Sequence, residues 1–243
     1  MDLISPAMTK HFPARNVGED FTLSLPEIRY RVGELVFLMG HNGSGKSVYG
    51  RLLSGEWNAN EGVAHIRWSE KDTQIAPGMG VVMQQVDQNL ALDLTILENL
   101  VLRIPRHGWA ILNKPSTQHR HRAEASLSNH PELFRKRHHQ VSTLSLGQRQ
   151  TLAFLCARFQ SSDVLLLDEF LASTDRATSQ SLLAMVRDFV AESGTAIIIS
   201  HDPAMAFEEA DRIVVLQRGS LVGDIQKGQD GWALKPLEDL ISL

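Results

Sequence analysis

A single cysteine, Cys156, is present in the 243-residue sequence, so an intrachain disulfide is excluded and a reducing compartment is favoured. Long apolar runs are also missing: residues 164–167 and 196–199, among the longest, fall far short of the ~20 residues that a membrane-spanning helix needs. Residues 1–16 lack the continuous apolar core of a secretory signal. From these absences we expect a cytosolic protein that neither crosses a bilayer nor is exported.

Basic residues are concentrated in the segment 103–139. It contains eight Lys or Arg residues against two glutamates, a formal charge of +6, whereas the whole chain carries −4 and the remainder therefore −10. This contrast indicates either a surface that faces an anionic partner, such as lipid head groups or a permease loop, or a solvated helical face. Arg120 and Arg122 alternate with His119 and His121 and would repel a cation, which favours solvated histidines over a metal site.

The apolar residues predict an alternation of strands and helices. Compact apolar or β-branched runs predict strands at 34–39, 81–83, 164–168 and 195–199. Helical spacing predicts helices at 47–53, 94–103, 123–133, 145–159 and 182–190, with Gly194 closing the last one. Strands that alternate with helices favour an α/β fold with a mostly parallel sheet covered on both faces.

Period-two alternation predicts further strands outside that sheet. Residues 21–25 and 63–68 indicate an antiparallel β layer, and 213–216 with 220–225 indicate a hairpin that turns at Arg218-Gly219. The strand-poor segment 86–147 is expected to be an inserted helical subdomain. We therefore expect one domain, 1–243, in which residues 1–85 and 148–243 form the core with its β subdomain.

A glycine-rich loop matches the phosphate-binding pattern G-x-x-x-x-G-K-[ST]. Glycines let successive backbone N–H groups converge on a polyphosphate, and a lysine adds positive charge. The loop lies between a predicted strand and a predicted helix, and this context places a phosphate at a helix N-terminus. The expected phosphate ligands are Gly40, His41, Asn42, Gly43, Ser44, Gly45, Lys46 and Ser47.

Hydrolysis of a phosphoanhydride also needs a metal ion and a positioned water. The hydroxyl of Ser47 is placed to bind Mg²⁺, and Asp168 ends a strand where such sites usually have a metal-holding carboxylate. Glu169 follows it and is the natural general base or water-orienting group.

These motifs, together with five others in the expected order, resemble those of the ATP-binding cassette (ABC) ATPases over nearly the whole chain. Residues 144–148, Leu-Ser-Leu-Gly-Gln, are similar to the family's LSGGQ signature, and residues 166–169 are similar to Walker B with its catalytic glutamate. Gln84 resembles the Q-loop glutamine, with Gln85 as the alternative, and residues 94–99 resemble the LTxxEN stretch that commonly follows it. Residues 172–175 resemble the D-loop, and His201 resembles the switch histidine. The resemblance implies a P-loop NTPase fold with a RecA-like core.

The resemblance also implies a role for each matched residue. The catalytic residues would be Glu169, His201, Gln84 and Lys46, and the Mg²⁺ ligands would be Ser47, Gln84 and Asp168. Besides the phosphate loop, the implied nucleotide contacts are Val48, Phe12, Ser145, Gly147, Gln148 and Asp175. Phe12 is the candidate for stacking on adenine, with His11 as the second choice. ATP and Mg²⁺ are the expected cofactors.

Several positions depart from the family pattern. Leu146 replaces the first glycine of the signature pair, and we expect function to persist because Ser145 and Gly147 are retained. Val48 replaces a hydroxyl residue after the phosphate loop. Phe170, Leu171 and Thr174 replace residues that the family usually has at the boundary between subunits.

The function implied is the ATP-hydrolysing subunit of a multi-subunit ABC membrane transporter, most like stand-alone importer subunits for small molecules such as amino acids. Two copies would sandwich two ATP molecules head to tail, each site combining Lys46, Asp168 and Glu169 of one chain with Ser145 and Gly147 of the other. Expected partners are a second copy, integral membrane permease subunits and a substrate-binding protein, and not nucleic acid. The expected location is the cytoplasmic face of the cell (inner) membrane, as a peripheral protein.

Three alternatives remain. A soluble ABC ATPase that acts on DNA, Fe–S assembly or ribosomes often has two fused cassettes or a long coiled-coil insertion, and neither occurs here. An exporter or lipid-type subunit is the second alternative. The third is a degenerate cassette that binds ATP without hydrolysing it, and the presence of Lys46, Gln84, Glu169 and His201 argues against it.

Overall fold

The computed structural model describes residues 2–13, 20–57, 59, 79–104, 115–160, 163–172, 174–229 and 232–242. In these ranges the strands are β1 (Asp2–Ser5), β2 (Met8–Phe12), β3 (Phe21–Leu25), β4 (Ile28–Arg31), β5 (Leu35–Met39), β6 (Gly80–Val82), β7 (Val164–Asp168), β8 (Thr195–Ile199), β9 (Arg212–Gln217) and β10 (Ser220–Gln226). The α-helices are α1 (Lys46–Leu53), α2 (Ile96–Arg103), α3 (Thr117–Ser126), α4 (Pro131–Arg135), α5 (Leu146–Gln160), α6 (Arg176–Ala191), α7 (Pro203–Glu209) and α8 (Leu234–Ser242).

The central sheet has the strand order β10-β9-β5-β8-β7-β6. All neighbours from β9 to β6 are parallel, and only β10 runs antiparallel, as the second strand of a hairpin with β9. Phe37 in β5, for example, pairs with Ile198 on one side and Ile213 on the other. The predicted α/β class with a mostly parallel sheet is confirmed.

Strand β5 is buried along its whole length because both faces of the sheet are covered. Leu35, Phe37 and Met39 face a core that includes α2, α5 and α6. Val36 and Leu38 face the opposite core, which includes α1 and the N-terminal strands. The two-sided burial explains why the predicted strands appear in the sequence as short continuous apolar runs rather than as alternating ones.

The N-terminal strands form two antiparallel pairs, β1 with β4 and β2 with β3. Hydrogen bonds join them to the central sheet, among them one from the Thr195 hydroxyl to the carbonyl of Arg31 at 3.0 Å. The N–H of Ser24 donates to the carbonyl of Gly219 at 2.7 Å, and the buried Arg212 guanidinium forms two hydrogen bonds of 2.6 Å to Asp224 and one to the carbonyl of Arg29. The predicted strand 63–68 lies outside the described residues.

Two details of the helices differ from the predictions. The single helix expected at 123–133 is wrong: α3 ends at Ser126, and Pro131 begins α4, where its missing N–H has no helical partner to lose. The end of α6 differs in detail: the left-handed residue is Ser193 (φ 71°), and Gly194, which we expected to close the helix, follows it and donates its N–H to the carbonyl of Phe189 at 3.0 Å. Gly194 is needed for a second reason, because a Cβ there would lie 2.4 Å from the Phe189 ring.

None of the helices within the described ranges combines the length and the apolar character that a transmembrane span requires.

Candidate functional site

The glycine-rich loop lies between β5 and α1, as the sequence predicts. At Gly40 the loop passes so close to β9 that a Cβ would lie 2.2 Å from the carbonyl oxygen of Leu216, and its φ of 145° is one that side-chain-bearing residues rarely adopt. The far end of the loop is fixed by Gly219, whose N–H donates to the carbonyl of Ser44 at 3.0 Å. The loop therefore connects a buried strand directly to a helix N-terminus, where backbone N–H groups favour the binding of anions.

Lys46 reaches back across this loop. Its Nζ donates to the carbonyl oxygens of Gly40 at 2.7 Å and His41 at 3.0 Å. Burial lowers the pKa of the lysine, and the nearby carboxylates of Glu169 and Asp168 counteract that shift. The ammonium group thus lies inside the loop, and its two hydrogen bonds to the loop go to neutral carbonyl oxygens.

Asp168 ends β7 on the same side of the sheet and is buried. Burial raises the pKa of its carboxyl, Glu169 raises it further, and a hydrogen bond with Ser47 lowers it. Its Oδ1 atom is buried and has no hydrogen-bond partner among the described residues. A carboxylate oxygen left without a donor beside a hydroxyl group suits a hard cation such as Mg²⁺, which prefers oxygen ligands.

Glu169 has a backbone conformation that is unusual for a residue with a side chain, with φ at 46°. Its N–H donates to the carbonyl of Ile199 at 3.0 Å, and its carbonyl accepts the N–H of Ala172 at 2.9 Å. A left-handed residue of this kind costs of order 1 kcal/mol and persists where its surroundings hold it. Here the conformation fixes the direction in which the carboxylate leaves the end of β7.

Gln84 and His201 meet at that carboxylate. The Gln84 Nε2 donates to Glu169 Oε2 at 2.6 Å, and the His201 Nδ1 lies 3.6 Å from Oε1. The three residues follow β6, β7 and β8, which are neighbours in the sheet, so their carboxyl ends bring the side chains together. Gln85 instead accepts a hydrogen bond from Gln88 at 2.7 Å, which makes Gln84 the glutamine that faces Glu169.

A cleft of about 590 Å³ opens beside these groups. Its lining is Phe21, Asn42, Gly43, Gly45, Lys46, Ser47, Val48, Gln84 and Glu169. The aromatic residue of the lining is Phe21, which the sequence analysis missed. Phe12 pairs with Phe21 across β2 and β3, with ring centroids 6.1 Å apart, and contacts Trp57 at 5.7 Å. His11 bonds Thr22 at 3.0 Å on the same pair of strands.

The signature residues lie at the start of α5. The N–H of Gln148 donates to Ser145 Oγ, and the Gln148 Oε1 accepts the N–H of Ser145, both at 3.3 Å, so the two side chains form a reciprocal helix cap. Gly147 is close to α6, because a Cβ there would lie 2.8 Å from Thr178 Cγ2. Leu146, the unusual residue, is 39% exposed.

A second cleft, of about 510 Å³, contains Ser145, Leu146, Gly147, Gln148 and Asp175 in its lining. Among the described residues it shares none with the cleft at the phosphate loop. Asp175 caps α6: its carboxylate accepts the Thr178 N–H at 3.0 Å and hydroxyl at 2.7 Å, and these bonds lower its pKa. One chain therefore presents the predicted site residues in two separate groups.

The sequence of this chain is similar to those of known ATP-binding proteins of transporters. The sequence model of the ABC transporter family matches residues 26–172. The arginine transport ATP-binding protein ArtM of Bacillus subtilis is 27% identical over 223 residues, which cover 89% of this chain and 88% of that protein. The ribose import ATP-binding protein RbsA 1 of Burkholderia thailandensis is 31% identical over 91% of this chain but only 43% of its own length, so the chain spans less than half of it.

Two solved structures share the fold. A nucleotide-free ATP-binding cassette from an ABC transporter has a TM-score of 0.76 at 21% identity, with 100% of this chain and 96% of that chain covered. An ATP-binding cassette solved as a dimer in a post-hydrolysis state, bound to ADP and Pi, has a TM-score of 0.72 at 22% identity, with 93% and 98% covered. Since the family model matches more than half of the sequence, this chain belongs to the ABC transporter family and is one of its ATP-binding cassettes, which are ATPases.

Proposed function

We propose that this chain binds ATP and Mg²⁺ between two copies of itself and uses ATP hydrolysis to drive a membrane permease for small-molecule uptake. The observation that carries the proposal is the convergence of Gln84 and His201 on the Glu169 carboxylate, beside the cleft of the phosphate loop. The ends of β6, β7 and β8 thus bring together three side chains that can activate an attacking water.

The phosphate loop would hold the β- and γ-phosphates. Lys46 would exchange its bonds to the Gly40 and His41 carbonyls for phosphate oxygens, and the added negative charge would favour its protonated form against burial. Mg²⁺ would be held by Ser47, Asp168 and Gln84. When bound, it would neutralise the charge that develops on the phosphates. The unpartnered Oδ1 of Asp168 supports this assignment.

Glu169 would accept a proton from the attacking water or orient that water. Gln84 and His201 contact opposite oxygens of its carboxylate, so both would restrict its rotation and could contact the same water. Phe21, in the lining of the cleft, is a better placed adenine contact than Phe12, which lies against it. Phe12 would then support the stacking residue.

The signature residues would act on the nucleotide of a second copy. Ser145 and Gly147 lie at the N-terminus of α5, a location that suits a phosphate, yet they line a different cleft from Lys46. We assign residues 86–147 to a helical subdomain that carries these residues and residues 1–85 with 148–243 to the core. The related cassette solved as a dimer with ADP and Pi supports the two-chain arrangement.

The transported compound is proposed to be an amino acid. The chain matches the arginine transport protein ArtM over nearly the full length of both, whereas the ribose import protein is more than twice as long as the matched region. We place the chain at the cytoplasmic face of the inner membrane, bound to permease subunits and working with a substrate-binding protein.

Reconstitution tests this function. The chain is purified with the membrane protein and the substrate-binding protein that co-purify with it, inserted into proteoliposomes, and assayed for ATP-driven accumulation of labelled amino acids, arginine first. We expect uptake that needs ATP and that Lys46→Ala abolishes by weakening nucleotide binding. Hydrolysis without uptake of any amino acid would contradict the substrate class, and co-purification of no integral membrane protein would favour a soluble ABC ATPase instead.

A further inference from the structure

An ion pair between Arg149 and Asp87 joins two segments that belong to different nucleotide sites in the proposed dimer. The Arg149 Nη1 donates to Asp87 Oδ1 at 2.7 Å. Arg149 lies in the first turn of α5, behind the signature residues Ser145 and Gly147. Asp87 lies in the 3₁₀ turn Val86–Asn89, which follows Gln84.

The turn that carries Asp87 is fixed to the backbone around Gln84. The side chain of Asn89, which is buried, accepts the N–H of Met83 at 2.9 Å and donates to the carbonyls of Met83 at 3.2 Å and Val86 at 3.3 Å. These bonds close residues 83–89 into one unit. The turn that carries Asp87 is therefore linked by hydrogen bonds to the backbone of Met83, next to Gln84.

Arg149 is fixed to the signature in a similar way. Its N–H donates to the carbonyl of Ser145 at 2.9 Å, in the same helical turn in which the Gln148 N–H bonds Ser145 Oγ. The next residue, Gln150, donates to the carbonyl of Phe170 at 2.9 Å, directly after Glu169. The first turn of α5 thus contacts both segments that meet at the candidate water site.

We propose that Arg149 is a positioning residue that couples the two nucleotide sites of the dimer. When Ser145 closes on the nucleotide of the second copy, the Arg149–Asp87 pair shifts the Gln84 loop of its own site toward the geometry in which Glu169 works. This inference rests on the proposed function, because it requires that Ser145 and Gln84 of one chain serve different nucleotides. It predicts that ATP binding at one site raises turnover at the other.

The test compares ATP hydrolysis by the full-length chain in variants of the pair. Arg149→Gln is expected to lower kcat about fivefold, the lower end of typical coupling between sites, and to reduce the Hill coefficient, with little change in KM. Arg149→Lys keeps the positive charge and a hydrogen-bond donor group, and it should stay near wild type. Exchange of the charges, Arg149→Asp with Asp87→Arg, should restore most of the loss.

Arg158→Gln is the matched control. It removes an Arg–Glu ion pair, with Glu192, at the other end of the same helix, and it should leave kcat and the Hill coefficient unchanged. Thermal unfolding of each variant separates a fold defect from a coupling defect. If Arg149→Gln does not fold, Asp87→Asn removes the same ion pair by changing Asp87, which is the more exposed of the two partners.

Two results would overturn the coupling role. One is a wild-type kcat and Hill coefficient in folded Arg149→Gln, and the other is a charge exchange that folds without recovering activity. Either would leave the proposed function intact if the wild-type chain hydrolyses ATP. A wild-type chain that shows no hydrolysis would instead remove the proposed function and the coupling role together.

Discussion

Replacement of Glu169 by glutamine should separate ATP binding from ATP hydrolysis. Glutamine has nearly the same shape, and its Oε1 can still accept the hydrogen bond that Gln84 Nε2 now donates at 2.6 Å. The change therefore removes the proton acceptor and its charge while the hydrogen bond from Gln84 persists. A positioned general base contributes roughly 10²–10⁴ in rate, or about 2.7–5.5 kcal/mol of transition-state stabilisation.

Nucleotide binding should survive this substitution for an electrostatic reason. The charge of Glu169 raises the pKa of the Asp168 carboxyl, so its removal makes the ionised, metal-binding form of Asp168 easier to reach. We expect Glu169→Gln to bind ATP with Mg²⁺ at least as well as wild type. Because the bound nucleotide is not consumed, the dimer that it holds together should accumulate.

The assay is steady-state phosphate release together with size-exclusion chromatography in the presence of ATP. Glu192→Gln is the control, since it removes the same charge by the same chemistry at an exposed position whose partner is Arg158. That variant should keep wild-type turnover. Turnover at the wild-type rate in Glu169→Gln would refute the assignment of Glu169 as the residue that activates water.

Two further predictions concern Asp168 and the adenine contact. Burial raises the pKa of Asp168, so its contribution to stability is present below the ordinary carboxyl pKa and is lost as pH rises through the raised value. At pH 7, Asp168→Asn should therefore raise the unfolding temperature of the nucleotide-free chain while abolishing Mg²⁺-dependent hydrolysis. A lower unfolding temperature in calorimetry would contradict this prediction. Phe21→Ala should weaken ATP binding more than Phe12→Ala in fluorescence titrations, because Phe21 is the one in the cleft lining, and the reverse order would return the stacking role to Phe12.

The parts of the site that depend on local sequence could be predicted from it. The strand, glycine-rich loop and helix around Lys46 are contiguous, and so is the step from β7 to Asp168 and Glu169. Gln84 and His201 required one more inference, that the carboxyl ends of neighbouring parallel strands meet at one edge of the sheet. The structure brings both to Glu169 for that reason.

Features that depend on pairing between distant segments could not be predicted. The sequence indicates a strand at 21–25, but the register that pairs Phe21 with Phe12 and turns Phe21 into the cleft is set by tertiary contacts. Pro131 was a local signal for the break between α3 and α4, because proline favours the first turn of a helix. The prediction of one helix followed the apolar spacing instead. The role of Gly194 follows from the Phe189 ring packed against it, which no periodicity reveals.

Mixing two inactive variants tests the shared site most directly. Lys46→Ala disables the phosphate loop of a chain, and Ser145→Ala disables its signature, which lines the separate cleft. In a head-to-tail dimer of one copy of each, one site carries both defects and the other carries neither. We therefore predict that the mixture hydrolyses ATP when each variant alone is nearly inactive. A mixture no more active than its components would show that each chain completes its own site, and it would contradict the account.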